Sequence, residues 1–218
     1  MKPIILFLRK FSKSDTKYLI DSLSDQYTII VPSAFTDENL INLAKNVDVF
    51  LGNTIFPELI EAASKLKVIQ SQGAGVDNID LKLLSKRNIF LCNSHGNSWY
   101  VAEHAVGMLF SLIKKLHIHD RLMRHGEWFR MENKETDLHY LSDTIRGMTI
   151  GFVGYGHISR HIARFLGGYD TEFLAFRKNT AQAETEPLIE FTTLDKVFSQ
   201  SDAIFVAVPL TSQTRNMI

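Results

Sequence analysis

The chain has 218 residues, 45% hydrophobic and 22% charged, the balance of an ordinary globular protein long enough for one large or two small lobes. Lys plus Arg number 24 and Asp plus Glu 24, so no general field favours nucleic acid or an anionic membrane; the expected partners are small molecules and a second copy of the chain. Cys92 is the only cysteine, which excludes an intrachain disulfide and fits a reducing compartment, with the cytoplasm expected.

The opening apolar run is about five residues, short of the roughly 7–15 of a signal-peptide core, and reads as a first strand. Nothing approaches the roughly 20 apolar residues of a membrane helix, and no repeat is present. Strand and helix patterns then alternate: 4–8 and 14–23, 28–31 and 37–44, 47–51 and 57–66, 68–70 and 80–86, then 89–92. Such alternation predicts a parallel sheet with helices on both faces. The polar break Ser94-His95-Gly96-Asn97-Ser98 places a domain boundary after residue 97, and a long helical pattern follows over 101–118. From 119 to 146 the chain is polar, without a clear period, and reads as a connecting arm. A second alternation begins at Thr149: strand 149–153, helix 157–167, strand 171–176, an apolar stretch 188–191, helix 193–199 and strand 203–208.

At 149–163 a buried-strand run passes into Gly154-Tyr155-Gly156-His157-Ile158-Ser159 and then an amphipathic helix. Gly154 permits a tight turn, and Gly156 removes a side chain so that a pyrophosphate can reach the amides at the helix start; Ser159 replaces the third glycine of the fingerprint. A dinucleotide is the expected ligand. In such units the second strand usually ends in an acid that hydrogen-bonds the ribose of NAD. Here Arg177 and Lys178 follow that strand, with Thr180 nearby, and an arginine fork suits a 2′-phosphate. NADP(H) is therefore expected in preference to NAD(H), with NAD(H) still admissible.

Four segments, in order, resemble the D-isomer-specific 2-hydroxyacid dehydrogenases: 66–80 with Gly73-Ala74-Gly75-Val76-Asp77, 93–104 with Val101-Ala102-Glu103-His104, the glycine turn, and 207–215 with Val208-Pro209 and Thr214-Arg215. The resemblance implies a flavodoxin-like substrate-binding domain over 1–97 and a Rossmann cofactor domain over 98–218, the latter cut short relative to the family. It implies that amides at Ala74 and Gly75 face the substrate carboxylate and, at Ala74, the nicotinamide end of the cofactor. A glycine-rich loop after a strand is by itself an anion-binding shape. By the same resemblance His157 and Ile158 lie over the pyrophosphate, and Val208, Pro209 and Thr214 line the cofactor site. The implied reaction is NAD(P)-dependent hydride transfer between a small 2-hydroxy acid and a 2-oxo acid. The family's catalytic arginine, glutamate and histidine come after the segment matching residue 218, so no catalytic residue is expected within the chain, and 218 residues alone are expected to be inactive. The alternatives are a non-catalytic NADP-binding or interaction protein and an inactive fragment.

No metal site is expected. Glu103 and His104, adjacent on a helix, point about 100° apart and do not form an acid–base pair. His95, His117, His119 and His125 read as solvated, and Arg215 is not the catalytic arginine. Trp99 and Tyr100 are expected either to pack at the hinge or to line a substrate pocket. Asp77 and Asp80 should end their loop and cap the next helix. Trp128 and Phe129 lie in the arm that, in the family, pairs two cofactor domains, so a homodimer through that domain is expected.

Overall fold

The computed structural model describes residues 2–127, 141–178 and 186–218; Trp128, Phe129 and Thr180 lie outside the described residues. The chain forms two compact units, residues 1–95 with 209–218, and residues 96–208. The division falls two residues before the position read from sequence, and 209–218 group with the first unit.

In the first unit the strands β1 (Ile4–Phe7), β2 (Thr28–Ile30), β3 (Val49–Leu51), β4 (Val68–Gln70) and β5 (Phe90–Cys92) alternate with the helices α1 (Lys13–Leu23), α2 (Asp37–Ala44), α3 (Pro57–Ala62) and α4 (Leu81–Lys86). Every neighbouring pair is parallel and the order is β2-β1-β3-β4-β5, the flavodoxin-like arrangement. Short apolar runs suit strands covered on both faces. Leu6, Phe50 and Ile69 are fully buried and pack with Leu40, Leu59 and Ile60 from the helices in one core. Helix starts are encoded locally. Ser12 Oγ accepts from the Asp15 amide at 3.0 Å, and Asp80 Oδ1 accepts from the Lys82 and Leu83 amides at 3.0 Å each. Pro57 opens α3, where its missing N–H costs nothing. That helix stops at Ala62, short of 66, because Ala63 leaves helical geometry at ψ 79°. Leu66 is buried all the same, so the apolar period ran on past the helix end.

The second unit contains α5 (Ser98–Ile113), α6 (Leu116–Arg124), β6 (Thr149–Val153), α7 (His157–Leu166), β7 (Glu172–Phe176), β8 (Glu190–Phe191), α8 (Leu194–Gln200) and β9 (Ala203–Val206). Its parallel sheet runs β8-β7-β6-β9, which is the order 3-2-1-4 of a Rossmann half and its first return strand. The ring of Phe152 stacks on Phe173 and Phe205 at 6.0 and 5.9 Å, joining three strands across one face. The single helix expected over 101–118 is two helices, and the second carries the chain six residues into the expected arm. They part at Lys115, held in the left-handed region at φ 51°, with no glycine or proline to announce the break. The last strand ends at Val206, where its pairing with Val153 ends, rather than at 208.

Candidate functional site

Sheet order fixes where a ligand site forms in the second unit. From β6 the chain crosses through α7 to β7 on one side, whereas β9 returns on the other, so the carboxyl end of β6 is a topological switch point. The glycine turn stands there. The Gly154 amide donates to the Phe176 carbonyl at 2.8 Å and the Ala207 amide to the Val153 carbonyl at 2.9 Å, binding the turn to both neighbours. Gly154 has φ 90°, and a Cβ on it would lie 2.6 Å from the Ala207 carbonyl oxygen and 2.7 Å from Val208 Cγ1. Gly156 is the N-cap of α7, brings no side chain to the first-turn amides, and has open space where a Cβ would stand. His157 and Ile158 begin the helix. Ser159 is fully buried, and its hydroxyl donates to the Gly154 carbonyl at 2.7 Å, so the residue replacing the third glycine ties helix to turn.

Arg177 and Lys178 follow β7, as the sequence placed them. The Arg177 guanidinium lies over the Phe191 ring, 5.1 Å from its centre, and its Nε is buried with no hydrogen-bond partner among the described residues. Around it stand residues that no motif singled out. Arg160 pairs with Glu186 at 2.7 Å and lies over Tyr155 at 5.6 Å, while Tyr155 meets Phe191 edge-on at 5.5 Å. Burial, aided by Glu186 and opposed by Arg160, pushes the Tyr155 phenol up to about 12. Apart from the run of aromatic and basic types, nothing in the sequence pairs Arg160 with a residue 26 positions away.

The first unit holds the glycine loop after β4. Asn53 organises it: its Oδ1 accepts from the Gln72 amide at 2.7 Å and from the Ser71 hydroxyl at 3.2 Å. Asn93 Nδ2 donates to the Ala74 carbonyl at 2.9 Å, and the Ser94 amide to the Gly73 carbonyl at 3.1 Å. The amides of Ala74 and Gly75 have no acceptor among the described residues. Asp77 Oδ1 lies 3.1 Å from where a Gly75 Cβ would stand, a close fit that a glycine permits. Asp80 caps α4. Pro209 and Thr214 also belong to this unit. The Thr214 hydroxyl donates to the Pro209 carbonyl at 2.6 Å and accepts from the Thr211 amide at 2.8 Å, so it is committed to holding its own turn.

Glu103 accepts from Trp99 Nε1 at 2.8 Å, which occupies the carboxylate one turn away from that indole rather than on His104. Trp99 packs within the second unit, edge-on to Phe165 and His161 at 4.7 and 5.1 Å, while Tyr100 is exposed. Among the described residues no cluster of His, Cys, Asp and Glu is arranged to hold a metal ion, and no helix is long and apolar enough to cross a membrane.

Comparison with known proteins agrees with this geometry. Residues 106–218 match the family model of the D-isomer specific 2-hydroxyacid dehydrogenase, NAD binding domain. The chain is 30% identical over 228 residues to a glyoxylate reductase of Pyrococcus furiosus, covering all of this chain and 66% of that protein. It is 26% identical over 228 residues to a D-3-phosphoglycerate dehydrogenase of Synechocystis, covering 99% of this chain and 40% of that one. Among solved structures it resembles an NAD-dependent formate dehydrogenase of Staphylococcus aureus in complex with NAD, with a TM-score of 0.74, 26% identity and coverage of 99% and 67%. A glyoxylate reductase from Paecilomyes thermophila shares the fold, with a TM-score of 0.81 at 22% identity and coverage of 100% and 68%. The chain thus spans just under two thirds of the length of the Pyrococcus relative. With a glycine turn at the switch point of a 3-2-1-4 sheet and a family match over more than half its residues, the chain belongs to the D-isomer specific 2-hydroxyacid dehydrogenase family.

Proposed function

We propose that the chain binds a nicotinamide dinucleotide, NADP(H) in preference to NAD(H), and serves hydride transfer between a small 2-hydroxy acid and its 2-oxo acid. In this reading 1–97 is the substrate-binding domain and 98–218 the cofactor domain. The observation that carries it is the bare N-cap at Gly156: at the carboxyl end of β6, a helix start stands open where a side chain would block a phosphate. Arg177 supports it as well, its buried Nε having no hydrogen-bond partner among the described residues. Gly154, Gly156, His157 and Ile158 hold the pyrophosphate. Arg177 and Lys178 hold a 2′-phosphate, and no acid at the end of β7 competes for the ribose. Val208, Pro209 and Thr214 shape the cofactor site, Thr214 through its turn. A bound nicotinamide supplies or accepts the hydride. The amides of Ala74 and Gly75 fix the substrate carboxylate, and Asn53 keeps their loop in place. The family's proton-moving residues correspond to the part of the relatives that the chain does not span, so none is assigned within it.

Cofactor titration tests the reading. Wild-type protein should bind NADPH more tightly than NADH, and Arg177→Asp should lower NADPH affinity at least tenfold, the size expected for losing a charge-assisted contact to phosphate. An unchanged affinity ratio would overturn the 2′-phosphate assignment. Because no proton-moving residue is assigned within the 218 residues, they should bind NADPH without oxidising it when glyoxylate is added, and turnover would overturn that assignment. We further propose that the protein is a homodimer joined through the cofactor domain.

A further inference from the structure

We infer that the first unit carries a second small-molecule site, beside α1, for an anion with an apolar body. A cavity of about 680 Å³ opens there, at the carboxyl ends of β1 and β2, within the size range of ligand sites. Its floor is aromatic. Phe11 and Phe35, both partly exposed, line it, and Phe11 meets the fully buried Phe7 edge-on at 5.0 Å. Its rim is cationic, with Lys10, Lys13 and Lys17 against a single carboxylate, Asp21. In a chain with no net charge such a local excess is a property of the site and not of the whole surface.

Two features of α1 support an occupant. Lys13 and Lys17 stand one turn apart, a like-charge pair that weakens an isolated helix and is turned to advantage by an anion between the two. The helix also has eleven residues and none of them is fully buried, whereas the shorter α2 buries Leu40 and Ala44. Thr16 and Ile20, on the same stripe as the lysines, line the cavity and are only partly buried. Ammonium groups are point charges without a planar fork, so either a carboxylate or a phosphate satisfies them, and the phenylalanine floor selects for a ring or branched hydrocarbon body. The site is separate from the loop of Ala74 and Gly75: the two share no residue, and β3 lies between β1 and β4 in the sheet.

Calorimetric titration of the 218-residue chain with phenylacetate, phenyl phosphate, inorganic phosphate and benzyl alcohol tests this. None of these probes has the 2-oxo or 2-hydroxy acid group of the proposed reaction, so failure here is distinct from failure of that reading. One saturable site for an aromatic anion is expected, at least tenfold tighter than for benzyl alcohol or inorganic phosphate. The double variant K13Q/K17Q should weaken it at least tenfold with an unchanged melting curve and unchanged NADPH affinity. Because both lysines are exposed, the fold survives the change; K10Q provides an independent second variant. Tighter phenylacetate would name a carboxylic acid as the natural ligand, and tighter phenyl phosphate a phosphate ester, both in support. Absence of saturable binding at millimolar probe, or affinity indifferent to K13Q/K17Q and K10Q, overturns the proposal.

Discussion

Two glycines two positions apart do different work, and substitution separates them. At Gly154 the backbone is left-handed and the position of a Cβ is already taken by the Ala207 carbonyl and Val208. Gly154→Ala should therefore cost about 2–4 kcal/mol, combining left-handed strain with overpacking. At Gly156 the backbone is extended, at φ −111° and ψ −155°, and the surroundings are empty. Gly156→Ala should leave stability within about 0.5 kcal/mol of wild type, as for a surface change, while lowering dinucleotide affinity at least tenfold. Urea denaturation read beside NADPH titration checks both arms. A Gly156→Ala protein that binds like wild type would show that the open helix start is not where the pyrophosphate rests. Ser159 belongs to the same account, since its hydroxyl bond to the Gly154 carbonyl braces the turn that exposes Gly156.

At the scale of elements, the contact of α8 with β6 is set by one missing side chain. A Cβ on Gly151 would stand 2.4 Å from Ser201 Oγ and 2.9 Å from both Ser201 Cβ and Val197 Cγ1. Gly151→Ala should destabilise by about 1–3 kcal/mol through overpacking, and adding Ser201→Gly should recover part of that loss, leaving Val197 to yield. A double-mutant cycle by chemical denaturation measures the coupling, and strictly additive losses would mean that the helix shifts as a whole. Close approaches like this have no period, which is why the sequence displays the elements better than their contacts. Alternating apolar runs and caps such as Asp80 foretold nearly every strand and helix start, because those signals are local. The Lys115 break was silent, for a left-handed lysine looks like any other lysine. Within the candidate site the glycine turn and Arg177 were readable from spacing. Asn53 beside the glycine loop and Glu186 on Arg160 were not, being joined to their partners only by folding across 19 and 26 positions.

At the scale of the whole molecule, the second unit leaves an apolar face uncovered. Met108 and Leu112 are 52% and 66% exposed, on the α5 stripe formed with Ala105 and Leu109, and Leu116 and Met123 of α6 are 53% and 55% exposed. A groove of about 920 Å³ runs beside the stripe, floored by Met148 and Phe205. An exposed apolar face of this kind suits the homodimer proposed above, because a second copy brings an equal face by symmetry. The proposed dimer therefore predicts a mass of twice 24.8 kDa at micromolar concentration by light scattering. Met108→Glu with Leu112→Glu should shift it to the monomer, since burying two carboxylates against apolar side chains is costly, while an exposed site moves folding stability by only about 0.5 kcal/mol. A wild-type monomer at all concentrations, or a dimer untouched by the two glutamates, would assign the pairing surface elsewhere and leave this face to another occupant.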